Sequence, residues 1–502
     1  MGVLRYCCGL RDRQPKSSTD LESDVYPVHL LDDAKSFRRV CPSYLFRFND
    51  VLDAERLYDS LSRLLEIGDW RKLGGRFRLK ADGRLEIVVP KHFTVEQPAF
   101  TFTQDVFHSS IEDHPLGHRL AKPTNKTSVH PLHLDTHTFA GPGVSMKIKK
   151  MIKRQTPLIS LHVTSFTDAT IVVFSWPHVL MDAMGTRALL HNWSLVLNGK
   201  EEEVSAVASA REDILEKPEL EGESLNQDLV IGRKQITTAR LLIFTTRMAF
   251  QSIFGPGFEE RAMVLEEKHF HELKSRAQSE LASAVGDKSE ANELFITDGD
   301  VLAAWTAHMV ALSHPKGRSI SFFSIVNARF RLPVLRRNPR EEYIQNLLLT
   351  AYFNLSLQVA SGSLGQIALA HRRNVSEQST EQQTLGFLRM QREHVKKHKD
   401  YNHKLGDHRG TPMAFNNTTK VDVLQAVDFN IAVLKQGEGD ESRTNPIGTA
   451  LYFIPIWKES INWYLRINFF HVLGKDHAGN YQITAYLPPQ TWARIEEELN
   501  AF

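Results

Sequence analysis

The feature that most constrains this chain is the stretch 168–197, DATIVVFSWPHVLMDAMGTRALLHNWSLVL. From Thr170 to Trp176 every position but Ser175 is β-branched or aromatic, which predicts a strand buried on both faces. Pro177 ends that strand, because proline cannot donate a ladder hydrogen bond and holds Trp176 extended. Farther on, Met184, Ala188, Leu189, Trp193 and Val196 recur at helical spacing, so a helix follows. His178 is therefore placed at the mouth of a buried strand, with Asp182 four residues on and Gly185 just beyond.

The HxxxD spacing by itself carries little. It recurs at His29/Asp33 and at His403/Asp407 in a chain with 22 histidines. What separates the middle copy is its setting, in which a buried strand, a proline stop and a glycine fix a side chain where chemistry can use it. His29 lies in a loop-to-helix context and His403 follows the charged run 394–400. Both are expected to be structural.

At 502 residues the chain exceeds one ordinary core, and its size predicts two domains. Residues 1–24 read as a flexible tail, 25–200 as a first domain carrying HxxxD, 201–238 as a polar crossover loop, and 239–502 as a second domain. A hydrophobic content of 42% with 24% charged residues is that of a soluble globular protein. The net charge of +2 gives no reason to invoke nucleic acid, and no apolar run approaches the ~18 residues of a membrane span. Three cysteines, Cys7, Cys8 and Cys41, make no disulfide framework. With no apolar secretory segment, the expected location is cytoplasmic.

Along the chain, alternation over 43–49 predicts a strand, leucines over 53–66 a helix, and 74–79 with 85–89 around Asp82-Gly83 a hairpin. Residues 98–143, rich in Pro, His and Thr, read as loop. His130, His133 and His137 fall there without the further ligands a metal site needs, so no metal is expected. The run 147–154, KIKKMIKR, reads as a solvated helix face with Met146, Ile148 and Ile152 inward. In the second half, apolar runs at 239–250 and 263–265 precede a helix over 301–312, capped by Thr297 or Asp298, and a strand over 320–327. A long helix over 365–399, strands over 451–455, 461–470 and 481–487, and a helix over 490–499 complete the pattern. Strands and helices alternate through both halves, so the class is α/β.

Several ordered motifs then coincide: LSRLL at 61–65 with Trp70 and Gly74-Gly75-Arg76, PHVLMDAMG at 177–185, and DVLAAW at 300–305. Two more follow, Asn327-Ala328-Arg329-Phe330-Arg331 and Gln345-Asn346. Together they resemble the BAHD acyltransferases, and more closely their fungal branch, which includes the trichothecene 3-O-acetyltransferases. The resemblance implies two chloramphenicol-acetyltransferase-like domains with a channel between them. It also implies a monomeric enzyme of secondary metabolism that moves an acyl group from acyl-CoA, a co-substrate, to a hydroxyl or amine of a small hydrophobic metabolite, with no permanently bound cofactor. His178 is implied to be the general base, since a neutral imidazole can take the proton of an attacking hydroxyl. Asp182 is implied to pair with Arg329 and, with Gly185, to support the loop rather than face the substrate.

The departures lie downstream. Where the family has DFGWG, this chain has Asp428-Phe429-Asn430-Ile431-Ala432, without the glycines and tryptophan. Asn416, Asn417 and Thr418 stand where the family stabilises the tetrahedral oxyanion, and a turn or helix cap is the alternative use for such residues. Two other functions fit the same fold. One is acyl transfer from a carrier protein, as in condensation domains, against which Pro177 counts because it replaces a second histidine. The other is a binding or cyclisation protein that no longer transfers, supported by the altered DFNIA loop.

Overall fold

A computed structural model of the chain describes residues 6–7, 23–115, 117–120, 126–132, 139–142, 144, 147–217, 229–284, 295–314, 319–401, 405–407, 409–437, 443–456 and 466–501. The expected tail over 1–24 and the residues His133, His137, Met146 and His403 lie wholly or mostly outside them.

The strand predicted first is present at Thr170–Ser175, with all six residues buried. Val172 and Phe174 enter a core with Leu189 and Trp193 of the helix Ala183–Leu197. Ile171 and Val173 enter a separate cluster with Leu45, Phe139 and Phe166. Both faces are covered, which is why the sequence shows a continuous apolar run instead of alternation. This strand lies inside a six-stranded sheet ordered Tyr6–Cys7, Thr101–Val106, Ser160–Ser165, Thr170–Ser175, Ser43–Phe48 and Tyr452–Ile456. Asp53 caps the helix Ala54–Leu64, accepting hydrogen bonds from the Glu55 and Arg56 amides.

A second, seven-stranded sheet runs Leu348–Leu355, Ile320–Asn327, Thr411–Asn417, Asn468–Lys475, Tyr481–Leu487, Glu259–Leu265 and Ser128–Pro131. The helices Glu267–Ala284, Asp298–Leu312, Leu364–Gln378 and Pro489–Asn500 supply its core. Thr297 caps the second of these in a reciprocal box with Asp300. The result is a mixed α/β molecule built on two sheets.

The crossover at 201–238 divides the chain but not the cores. Ser128–Pro131 pairs with Glu259–Leu265 in the second sheet, and Tyr452–Ile456 pairs with Ser43–Phe48 in the first. Residues 421–453 also contribute to the first core. Sequence order assigns a segment to its neighbours, whereas apolar burial assigns it to whichever sheet edge is open. The buried Asp50 fixes this exchange: it accepts two hydrogen bonds from Arg443 (2.9 and 2.8 Å) and others from the Gly437 and Gly448 amides.

Three local expectations are corrected. The stretch 98–143 contains the strands Thr101–Val106 and Ser128–Pro131, short edge or near-edge strands whose polar residues hide the alternation. The long helix over 365–399 is two, Leu364–Gln378 and Glu381–His398, because Thr380 leaves the helix to cap the second by accepting from the Gln383 amide. The strand expected over 461–470 is observed at Asn468–Lys475, and residues 457–465 lie outside the description. In the basic run, the helix Ile148–Arg154 buries Ile148 and Met151. Among the described residues, no helix is long and apolar enough to cross a membrane.

Candidate active site

His178 follows the buried strand directly, and its backbone is anchored on both sides. Its N–H donates to the Val40 carbonyl at 2.9 Å, and its carbonyl accepts from the Asn346 side-chain amide at 2.8 Å. The same Asn346 amide, with the Asn346 backbone N–H, donates to the buried carboxylate of Asp32 at 2.7 and 2.8 Å. Phe37 stacks on the imidazole with ring centres 4.9 Å apart and planes 16° apart, and Tyr401 meets Phe37 edge-on at 5.4 Å. The catalytic candidate thus has a fixed backbone and an aromatic wall.

Burial holds the His178 imidazole below its ordinary pKa, because a charged ring is poorly solvated there. The Asp182 charge, its own carbonyl and Asn346 oppose that shift. The half-buried group therefore favours the neutral form that a base requires.

The Asp182 carboxylate is engaged by Arg329. It accepts from both terminal nitrogens of Arg329, at 2.8 and 2.9 Å, and from the Leu347 amide at 3.1 Å. It also caps the helix Ala183–Leu197 through the Met184 and Gly185 amides. Arg329 in turn donates to the Tyr343 and Gln345 carbonyls. Asp182 and Arg329 thereby join the HxxxD loop of the first sheet to the strand ends of the second. Gly185 is needed because a Cβ there would lie 2.2 Å from the Ile344 carbonyl oxygen.

Asn416 and Asn417 end the strand Thr411–Asn417, which runs parallel to Ile320–Asn327 and so finishes on the same side as Arg329. The Asn417 side-chain oxygen accepts from the Thr419 amide at 3.0 Å, which leaves its NH2 group for other use. Thr418 is committed elsewhere: its hydroxyl bonds the Val472 carbonyl at 2.8 Å and lies 3.1 Å from His471. Asp428 and Phe429 sit against the C-terminal end of the helix Ala183–Leu197, away from His178 at its start. The Asp428 amide donates to Ser194, and Phe429 packs on Trp193 and Phe48. The DFNIA loop is thus part of the first core.

Two other histidines are engaged in local contacts. His29 bonds the Ser209 carbonyl, and Asp33 takes two 2.7 Å bonds from Arg38. His130 bonds Ser128, and among the described residues no group of three or more His, Cys, Asp or Glu is placed to hold a metal. Sequence reading missed a row in which Asp300 touches His371 at 2.7 Å and His371 touches Ser324 at 3.2 Å. It resembles a nucleophile relay, but all three are buried among Phe322, Phe353 and Phe415, so it is a polar core staple.

A Transferase family model matches residues 137–414, more than half of the chain. The O-acetyltransferase PaAT-2 of Phomopsis amygdali is 33% identical over 484 residues, covering 95% of this chain and 97% of that protein. This chain belongs to the Transferase family. The acetyltransferase pyiB of Pyricularia grisea is 32% identical over 482 residues, covering 94% of this chain and 93% of its own. Among solved structures, TRI101 of F. sporotrichioides, complexed with coenzyme A and T-2, superposes with a TM-score of 0.67 at 14% identity, over 95% of this chain and 99% of that one. At that identity the likeness is one of fold.

For this acyltransferase the electrostatics give a pH prediction. The lowered pKa of His178 means that its protonation should fall below the ordinary imidazole value of about 6.5, and if this ring is the base the acid limb of kcat/KM falls with it. Asp182→Asn removes an opposing charge and should move that limb lower still, as a pH–rate profile of the folded variant would read. The sign for stability follows from the same shift. As pH drops through about 6.5 the unfolded chain takes up the proton first, so the His178 contribution to stability is present above that pH and is lost below it.

Proposed function

We propose that this acyltransferase moves an acyl group from acyl-CoA to a hydroxyl, or an amine, of a small hydrophobic metabolite, with His178 as the general base. One observation carries the reading: a half-buried, neutral-favouring imidazole held by its backbone at the end of a rigid strand, its Asp182 neighbour engaged by Arg329. In this mechanism the imidazole takes the hydroxyl proton as the acceptor oxygen attacks the thioester carbonyl. The side-chain amides of Asn416 and Asn417 are the donors for the resulting oxyanion, where one such donor is typically worth about 10²–10³ in rate. Collapse breaks the carbon–sulfur bond, and the imidazolium returns its proton to the leaving thiolate.

The Phe37 ring beside His178, backed by Tyr401, supports an apolar acceptor, consistent with a role in secondary metabolism. On this reading acyl-CoA and acceptor meet in a channel between the two sheets, and the enzyme works as a cytoplasmic monomer, because one chain supplies the whole site. The test is release of free thiol from acetyl-, malonyl- and longer acyl-CoA by the purified chain, with calorimetric binding alongside. Binding with slow thiol release supports the reading, and no binding of any acyl-CoA would turn it toward a carrier-protein donor.

A further inference from the structure

The helix Thr238–Phe254 presents its apolar face outward. Leu242 is 66% exposed, Ile243 54%, Phe250 61%, Ile253 72% and Phe254 70%, and only Met248 of the helix is buried. At 3.6 residues per turn those five side chains fall within an arc of about 120°, with Arg240 and Arg247 just past its border. A surface helix of a globular protein ordinarily turns such an arc inward. This one is held at the border of that arc and at its C-terminal end. Arg247 donates to the Gly410 carbonyl at 2.5 Å, and Arg466 donates to the Gln251, Gly255 and Pro256 carbonyls at 3.2, 2.8 and 2.7 Å.

The charged side chains of the helix and its flanking residues are all basic. Residues 229–258 contain Arg233, Lys234, Arg240 and Arg247 and no aspartate or glutamate. Beside the N-terminal end of the helix lies a cavity of about 520 Å³ lined by Arg233, Lys234, Arg240 and Arg409, with Asp407 its sole acidic lining residue. Cationic groups bordering an exposed apolar arc are the makings of a helix that lies in a membrane interface.

We propose that this helix docks the enzyme on an anionic phospholipid surface, with its apolar arc in the headgroup–acyl boundary and Arg240 and the cavity receiving headgroup phosphates. A second copy of the chain is the poorer occupant. A self-complementary contact on this face would bring its arginines near their own kind. No membrane span is involved, and the reaction assigned to His178 is independent of the docking.

The experiment is sedimentation of the full chain with vesicles of phosphatidylcholine alone and of phosphatidylcholine mixed with phosphatidylserine. Binding to the anionic vesicles, weakened by salt, is expected. Ile253→Glu with Phe254→Glu should weaken it about tenfold or more, and Arg240→Glu should weaken it on anionic vesicles alone. These side chains are exposed, so the melting curve should not move. Absence of sedimentation with either vesicle overturns the proposal, as does equal binding to both. Self-association abolished by the same double substitution, without vesicle binding, overturns it in favour of a second copy.

Discussion

Asp182→Ala should cost the fold about 3–5 kcal/mol, since removing one partner of a buried ion pair leaves the other uncompensated. The stranded group is Arg329, only 7% exposed. Loss of the cap on Ala183–Leu197 adds about 1 kcal/mol. Against a typical total of about 5–15 kcal/mol, that is a large share of the stability, so the yield of folded protein should fall sharply. Urea unfolding of whatever remains soluble is the measurement. A well-folded Asp182→Ala protein with an unchanged melting curve and no activity would assign the carboxylate to chemistry and refute the structural role.

His178→Ala should do the opposite, leaving the fold and removing the rate. The bonds that anchor this position, to Val40 and from Asn346, run through the backbone, and the substitution leaves them in place. General base catalysis typically contributes about 10²–10⁴, so kcat/KM should fall by that factor while acyl-CoA binding is retained. Single-turnover thiol release separates the two. A loss of less than about tenfold would point to another base.

Legibility in the sequence followed the range of the interactions. The buried strand, its proline stop and the following helix are encoded within thirty contiguous residues, 168–197, so the position of His178 could be read locally. The helix start at Thr297 and the strand Ile320–Asn327 were legible for the same reason. What holds His178 was not legible. Val40, Phe37, Asp32 and Asn346 come from segments up to 314 residues apart, and no periodicity announces which remote carbonyl an amide will meet. Thr418 could not be told from its neighbours by composition. Only the strand Asn468–Lys475 alongside it, offering the Val472 carbonyl, turns its hydroxyl into the sheet.

The exchange of strands between the sheets sets a timetable for synthesis. Ser43–Phe48 emerges early, yet its partner Tyr452–Ile456 emerges some four hundred residues later, about 20–80 s at ordinary translation rates. Throughout that interval the nascent first sheet carries an unpaired edge, the kind of surface that recruits other strands. Neither half can be expected to mature as an autonomous unit, so a chain cut in the crossover should yield two insoluble pieces. The two lobes should then melt in a single transition, because each is finished by a strand that the other half of the polypeptide lends it.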